Sequence, residues 1–304
     1  MKSRRHFLKS VSAGVAGATL AEVSAAPEEK TEAANRRLRV GLAAYSFQMF
    51  LPNYRKNDTP GETKMDMAGF IDYSASLDTD AVELTSYFLP DPCPRALAFE
   101  LKRKAHQHGL DISGGAIGNN FSYDPAGEEL AKQMAYTERW LATYAELGAP
   151  VIRVFAGHPK SKDLSPEQAE KNIVKNLQNA CEIAGKYGVI LGVENHDFTT
   201  DIDRMKRILE AVDSPWFGLN FDSGNLAKTS DPYGDLKRIA PHTVNAQLKV
   251  DIPRDGKKEP ADFKRIVDIL GEAGYSGTVV LEYENKKPYE EVPMYLEKLR
   301  EAIG

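Results

Sequence analysis

The stretch Val189-Ile190-Leu191-Gly192-Val193-Glu194-Asn195-His196 is a short apolar, β-branched run that closes on three polar residues. Working outward from it, the same pattern recurs along the chain. The amphipathic segment before it opens at Ser165-Pro166-Glu167-Gln168, a capping box with proline at the first helical position. It stops at Tyr187-Gly188, where glycine can adopt the left-handed conformation. Strands are expected at Val40–Phe47, Ala81–Tyr87, Asp111–Ile117, Val151–Ala156, Val189–Asn195, Phe217–Asp222, Val244–Val250 and Thr278–Tyr283, each followed by a helix candidate. The helix before the fourth strand repeats apolar residues at Met134, Leu141, Tyr144 and Leu147 and stops at Gly148. Gly109, Gly188 and Gly274 likewise stand just before strands, as helix-terminating residues do. Eight strand–helix units, with no Gly-x-Gly-x-x-Gly turn and no spare antiparallel edge, predict an α/β fold made of a single (β/α)8 TIM barrel. Gly114-Gly115-Ala116-Ile117-Gly118 lacks the Lys-Ser/Thr of a phosphate loop and is read as a strand end approached closely by ligand or backbone.

The N-terminus addresses the compartment. Ser3-Arg4-Arg5-His6-Phe7-Leu8-Lys9 carries paired arginines, followed by an apolar run from Val11 to Leu20 and the small residues Val23-Ser24-Ala25. That is the pattern of a twin-arginine signal peptide over residues 1–25, cleaved after Ala25, with a polar linker over 26–37 and the barrel over 38–304. The apolar run is too short and too rich in Gly and Ala for a permanent span, so export to the periplasm or the extracellular space is expected, with no stable membrane insertion. Removing 25 of 304 residues leaves 279, close to the ~250 of one such barrel. Lys2, Arg4, Arg5 and Lys9 against Glu22 make the removed piece +3, so the formal net charge moves from −5 to −8, which disfavours nucleic acid and anionic membrane as partners. Only Cys93 and Cys181 are present, without CxxC spacing, which excludes a thiolate metal site. Two unpaired thiols are expected over a disulfide.

In a barrel of this kind the chemistry sits at the C-terminal ends of the strands. Four consecutive strands end in polar groups, at Glu194-Asn195-His196, Asn220-Phe221-Asp222, Asn245-Ala246-Gln247-Leu248-Lys249 and Glu282-Tyr283-Glu284. Period-2 alternation puts Glu194 with His196, Asn220 with Asp222, and Asn245 with Gln247 and Lys249, each set on one face, taken to point inward. Two glutamates, an aspartate and a glutamine are hard oxygen donors, suited to one divalent cation such as Mn²⁺ or Mg²⁺. The competing reading is that these carboxylates cap helices or pair with Lys249 and Arg153.

At these residues the chain resembles the xylose-isomerase-like barrels described as sugar phosphate isomerases/epimerases, relatives of ketose 3-epimerases, hydroxypyruvate isomerase and inosose dehydratase and, more distantly, of endonuclease IV. The resemblance spans Leu38 to Ile303 and rests on Ala81-Val82-Glu83-Leu84, Val151 to Gly157, Glu194-Asn195-His196, Phe221-Asp222-Ser223-Gly224-Asn225, Gln247-Leu248-Lys249 and Leu281-Glu282. It implies metal ligands at Glu194, Asp222, Gln247 and Glu282, with Glu194 and Glu282 also the two catalytic residues that remove and return a proton. Gln247 stands where the family usually has His. The paucity of histidines argues against a trinuclear nuclease site, and His106 and His108 are expected on a solvated helix face. The substrate-binding candidates are His196, Asn225, Lys249, His158, Arg153 and Glu83. For Lys249 the alternative is neutralisation of an acidic site, for His158 a plain loop position, and for Arg153 a core ion pair. The expected function is a metal-dependent isomerase or epimerase acting on an unphosphorylated sugar or keto-sugar through an enediolate. A lyase or dehydratase using the same site and a non-catalytic sugar-binding barrel remain as alternatives. The partner is a small-molecule sugar, and assembly into a homo-oligomer is left open.

Overall fold

A computed structural model describes residues 38–55, 65–159 and 164–304. The expected signal peptide and linker lie outside the described residues. Eight parallel strands close into a barrel: β1 (Arg39–Ala43), β2 (Ala81–Thr85), β3 (Asp111–Ala116), β4 (Val151–Phe155), β5 (Ile190–Glu194), β6 (Phe217–Asp222), β7 (Thr243–Lys249) and β10 (Thr278–Glu282). The order around the barrel is β1-β10-β7-β6-β5-β4-β3-β2. Closure is made by β1 and β10, with Arg39 opposite Thr278 and Leu42 opposite Leu281. Eight helices surround it: α1 (Met67–Ser76), α2 (Arg95–Gln107), α3 (Glu128–Leu147), α4 (Pro166–Tyr187), α5 (Ile202–Ala211), α6 (Pro232–Ile239), α7 (Phe263–Glu272) and α8 (Pro288–Ile303). This is the expected single (β/α)8 barrel. Among the described residues no helix is long and apolar enough to cross a membrane, and Cys93 and Cys181 are both free thiols.

The helix signals work as local chemistry requires. Ser165 caps α4 by accepting from the Gln168 N–H, and Gly188 ends the helix at φ +66°. Gly109, Gly148 and Gly274 also have positive φ. On α3, Leu141, Tyr144 and Leu147 are buried as their spacing predicts. Gly115 serves a close approach, but by a side chain rather than by ligand or backbone. Tyr144 of α3 lies against it, its hydroxyl donating to the Leu84 carbonyl, and a Cβ on Gly115 would stand 1.9 Å from the ring.

Most strands end a residue before their expected ends, and two stop two or more residues short. β1 stops at Ala43 and continues as a 3-10 turn (Ala44–Phe47), and β2 stops at Thr85 before another (Ser86–Phe88). At the first of these the Ser46 hydroxyl takes over the ladder, donating to the Leu281 carbonyl at 3.4 Å and accepting from the Tyr283 N–H at 3.0 Å. The chain also holds an antiparallel hairpin outside the barrel, β8 (Asp251–Arg254) with β9 (Lys257–Pro260). Its turn residues Asp255 and Gly256 have φ +51° and +79°, the left-handed pair that a two-residue hairpin loop demands. Lys257 and Lys258 are exposed on the hairpin's second strand.

Candidate active site

The barrel lumen carries a polar belt. Glu83 of β2 is completely buried. It accepts from Gln247 Nε2 at 2.7 Å and from Asn245 Nδ2 at 3.0 Å. Since β2 and β7 are not neighbours in the barrel, these bonds cross the interior, so the face carrying Asn245 and Gln247 points inward as period-2 alternation requires. Asn220 closes the belt, donating to Gln247 Oε1 at 2.6 Å and accepting from Asn245 Nδ2 at 2.7 Å. All three amides are thereby tied into one buried network with Glu83. Burial, and next the charge of Glu282, push the Glu83 carboxyl up to about 7 against the two amide donors and Arg153.

Above the belt lies the mouth. Glu282 and Lys249 are register partners on adjacent strands, and Lys249 Nζ sits 2.7 Å from Glu282 Oε1, 2.9 Å from Glu284 Oε1 and 3.5 Å from Asp222 Oδ2. Burial alone would lower the pKa of Lys249, but Asp222, Glu282, Glu284 and Glu194 together hold it well above the ordinary range. Asp222 is anchored through Oδ1, which accepts from the backbone N–H groups of Gly224 at 2.8 Å and Asn225 at 3.0 Å. Burial, outweighing the attraction of Lys249, lifts its carboxyl to about 7. Glu282 is raised as well, again by burial first. Glu194 Oε2 pairs with Arg153 Nε at 2.9 Å, and its Oε1 accepts from Asn225 Nδ2 at 2.8 Å. Asn195 positions this corner by donating to the carbonyls of Asp222 and Asn225.

These groups open on a cavity of about 230 Å³ whose walls include Glu194, Glu282, Arg153, Lys249, His196 and Asn225. Six of the expected site residues therefore meet in one place. His196 packs against Phe155 with ring centroids 4.6 Å apart and the planes tilted by 43°, its Nδ1 3.1 Å from Asp197. The two readings of Arg153 merge, since it is both an ion-pair partner and part of the wall. Asp222 lies just beneath, fully buried. Glu83 is placed in the belt, not on the cavity wall, and His158 is exposed, holding Asn120 through its carbonyl only. His106 and His108 are exposed, as expected. The sequence reading missed Tyr45, Arg55, Tyr87, Phe155 and Glu284, all on the wall. Glu284 continues the alternation of β10 and was legible. Arg55, 4.3 Å over the Tyr87 ring, is in a turn with no periodic signal.

The donor atoms do not converge on a position for a divalent cation. Gln247 has both ends of its amide engaged in the belt, and the gap between Asp222 and Glu282 is filled by the Lys249 ammonium. Among the described residues no group of three or more His, Cys, Asp or Glu side chains is arranged to hold a metal. As arranged, Glu194, Asp222, Gln247 and Glu282 do not fit a shared ion.

No curated protein matches the chain in sequence. Solved structures share its fold at low identity. The 3-keto-D-glucoside 4-epimerase from E. coli aligns with TM-score 0.67 and 17% identity, over 87% of this chain and 100% of that one. The probable 3-DHS dehydratase AsbF from Bacillus anthracis gives 0.64 and 13%, over 86% and 99%. A Xylose isomerase-like TIM barrel protein from Mycobacterium smegmatis, in complex with magnesium, gives 0.62 and 14%, over 89% and 99%. The family profile described as Xylose isomerase-like TIM barrel matches residues 71–301, and the chain belongs to that family.

Proposed function

We propose that this protein is an exported enzyme that isomerises or epimerises an unphosphorylated sugar or keto-sugar by proton transfer through an enediolate. The observation that carries the reading is the meeting of Glu194 and Glu282 in one polar cavity of about 230 Å³ with Arg153, Lys249, Asn225 and His196. That volume is smaller than the ~300–1,000 Å³ of pockets for drug-sized ligands and suits one small polar molecule. Tyr45, Tyr87 and Phe155 add aromatic surface on which the apolar face of a sugar ring can lie.

In this reading one glutamate takes the proton from the carbon beside the carbonyl, and the other returns it. Burial raises the Glu282 carboxyl above its ordinary range, which brings its protonated and ionised forms closer in energy near neutral pH and suits it to pass a proton. Glu194 is held in one orientation by Arg153 and Asn225. Asn225 and His196 are placed to bind hydroxyls. Relatives with epimerase and dehydratase names make both outcomes of an enediolate chemically reasonable.

The test is solvent deuterium exchange with the mature protein over a panel of sugars and keto-sugars. Glu194→Gln and Glu282→Gln are each expected to lower turnover by about 10²–10⁴-fold. If the two glutamates act from opposite sides, one variant still exchanges the proton on its intact face while net conversion stops. A lyase would show exchange controlled by a single glutamate, with elimination products. Turnover at the parent rate in both variants would overturn the assignment, and a parent protein that binds sugars without exchange would be a binding barrel.

A further inference from the structure

The cation position of this site is built into the chain. Lys249 Nζ lies within 3.5 Å of the Asp222, Glu282 and Glu284 carboxylates, with only 8% of its side chain exposed. Its direction is set by packing. The Lys249 N–H donates to the Ser223 hydroxyl at 2.8 Å, and the Lys249 stem runs over Gly224, where an added Cβ would stand 2.6 Å from Cγ and 2.9 Å from Cβ of the lysine. Glycine at 224 thus leaves the room that the buried stem occupies.

A hard divalent ion needs several oxygens converging at about 2.0–2.6 Å on one point. Here the ammonium already stands between Asp222 and Glu282. Gln247 is bonded below, and turning it upward would take from buried Glu83 one of its two amide donors and leave Asn220 Nδ2 without its acceptor. That exchange strands polar groups inside the barrel.

We infer that Lys249 is the resident cation of this site, standing where a divalent ion would stand, and that the protein works as a metal-free barrel. The role in turnover rests on the proton-transfer reading. When a glutamate carboxylate removes the proton, the C–H bond breaks, its electron pair forms the C–C double bond of the enediolate, and the former carbonyl oxygen becomes negative. Lys249 donates a hydrogen bond to that oxygen and keeps its own proton. Return of the proton to the carbon it left, from the same or the opposite face, restores the carbonyl. Return to the former carbonyl carbon moves the carbonyl to its neighbour once that neighbour's hydroxyl proton has passed to the first oxygen, and no oxidant or further reactant is needed.

The claim about metal is tested without any substrate. The mature protein is stripped with a chelator and titrated with Mn²⁺, following the free-ion electron paramagnetic resonance signal and Tm. The expected result is no saturable uptake and no change in Tm up to millimolar Mn²⁺. Lys249→Arg keeps the charge and is expected to behave the same way. The double variant Lys249→Met with Gln247→His removes the ammonium and adds an imidazole donor, and it is expected to take up one Mn²⁺ per chain with a rise in Tm. Stoichiometric uptake with micromolar affinity by the parent protein overturns the inference. So does a folded double variant that binds no Mn²⁺, because removing the resident cation must then have opened nothing. Failure of the proton-transfer reading is a separate result: no sugar exchanges deuterium while the metal titrations come out as expected.

Discussion

Glu83 shows how a single residue couples the inside of the barrel to pH. Its carboxyl is pushed by burial, and next by Glu282, from an ordinary 4.5 up to about 7 in the folded chain. Between those values the folded protein holds a proton that the unfolded chain has lost. The associated stability is therefore fully present below pH 4.5, falls as pH rises through the window, and is gone above about 7. At ~1.4 kcal/mol per pH unit the whole span is worth about 3 kcal/mol. Asp222 and Glu282 are shifted in the same direction, so a slope remains without Glu83. The expected outcome is that urea unfolding of Glu83→Gln, measured at several pH values from 4.5 to 7, gives a shallower fall in stability than the parent. Parallel curves would mean that Glu83 titrates normally. Given a barrel, position at the C-terminal strand ends was enough to bring Glu194, Asp222, Lys249 and Glu282 to the mouth, and period-2 alternation turned the first three inward. Gln247 obeys the same alternation yet lies elsewhere. Glu282 is level with Lys249, so Gln247 stands one inward layer lower, about 6.6 Å along the strand. Which layer a residue occupies depends on the register between strands, and no single strand's sequence encodes that.

At the level of elements, capping and glycine signals located the helices because they act within one turn of chain. The failures came where side chains from distant segments replace a local pattern. β1 ends early because the Ser46 hydroxyl completes the pairing with β10, and nothing near Ser46 in sequence announces Leu281 or Tyr283. The β8–β9 hairpin was the opposite case. Asp255-Gly256 is a strong two-residue turn signal, legible in the sequence because it acts between neighbouring residues. Gly115 gives a direct test of packing between a helix and the barrel. A methyl group there would overlap the Tyr144 ring of α3, and overpacking of this kind typically costs about 1–3 kcal/mol. Gly115→Ala is expected to destabilise the protein by about that amount or more in chemical denaturation. Combined with Tyr144→Ala it should cost clearly less than the sum of the two single changes, since the cavity left by one accommodates the other. Additive losses would show that the close approach does not govern the cost.

The whole molecule closes only when its first strand pairs with its last. Arg39 to Leu42 of β1 lie against Thr278 to Leu281 of β10, so the barrel cannot be completed until nearly the entire chain has been made. That one closing pair has a very long sequence separation, and contacts of this kind form slowly. A route that exports finished, folded proteins suits such a chain, and the Arg4-Arg5 pair ahead of the apolar run to Leu20 is the sequence feature that supports twin-arginine export. Arg4→Lys together with Arg5→Lys is expected to leave uncleaved precursor inside the cell, measured by fractionation and by the mass of the N-terminal fragment. Normal cleavage and export of that double variant would refute the twin-arginine assignment. The fold supplies a second arm. If export waits for a closed barrel, Gly115→Ala with the signal intact should also accumulate as precursor, and adding Tyr144→Ala should restore part of the export. The two arms separate the address from the folding requirement, because the arginine variant is retained with a stable barrel, whereas the glycine variant is retained only to the extent that its barrel is unstable.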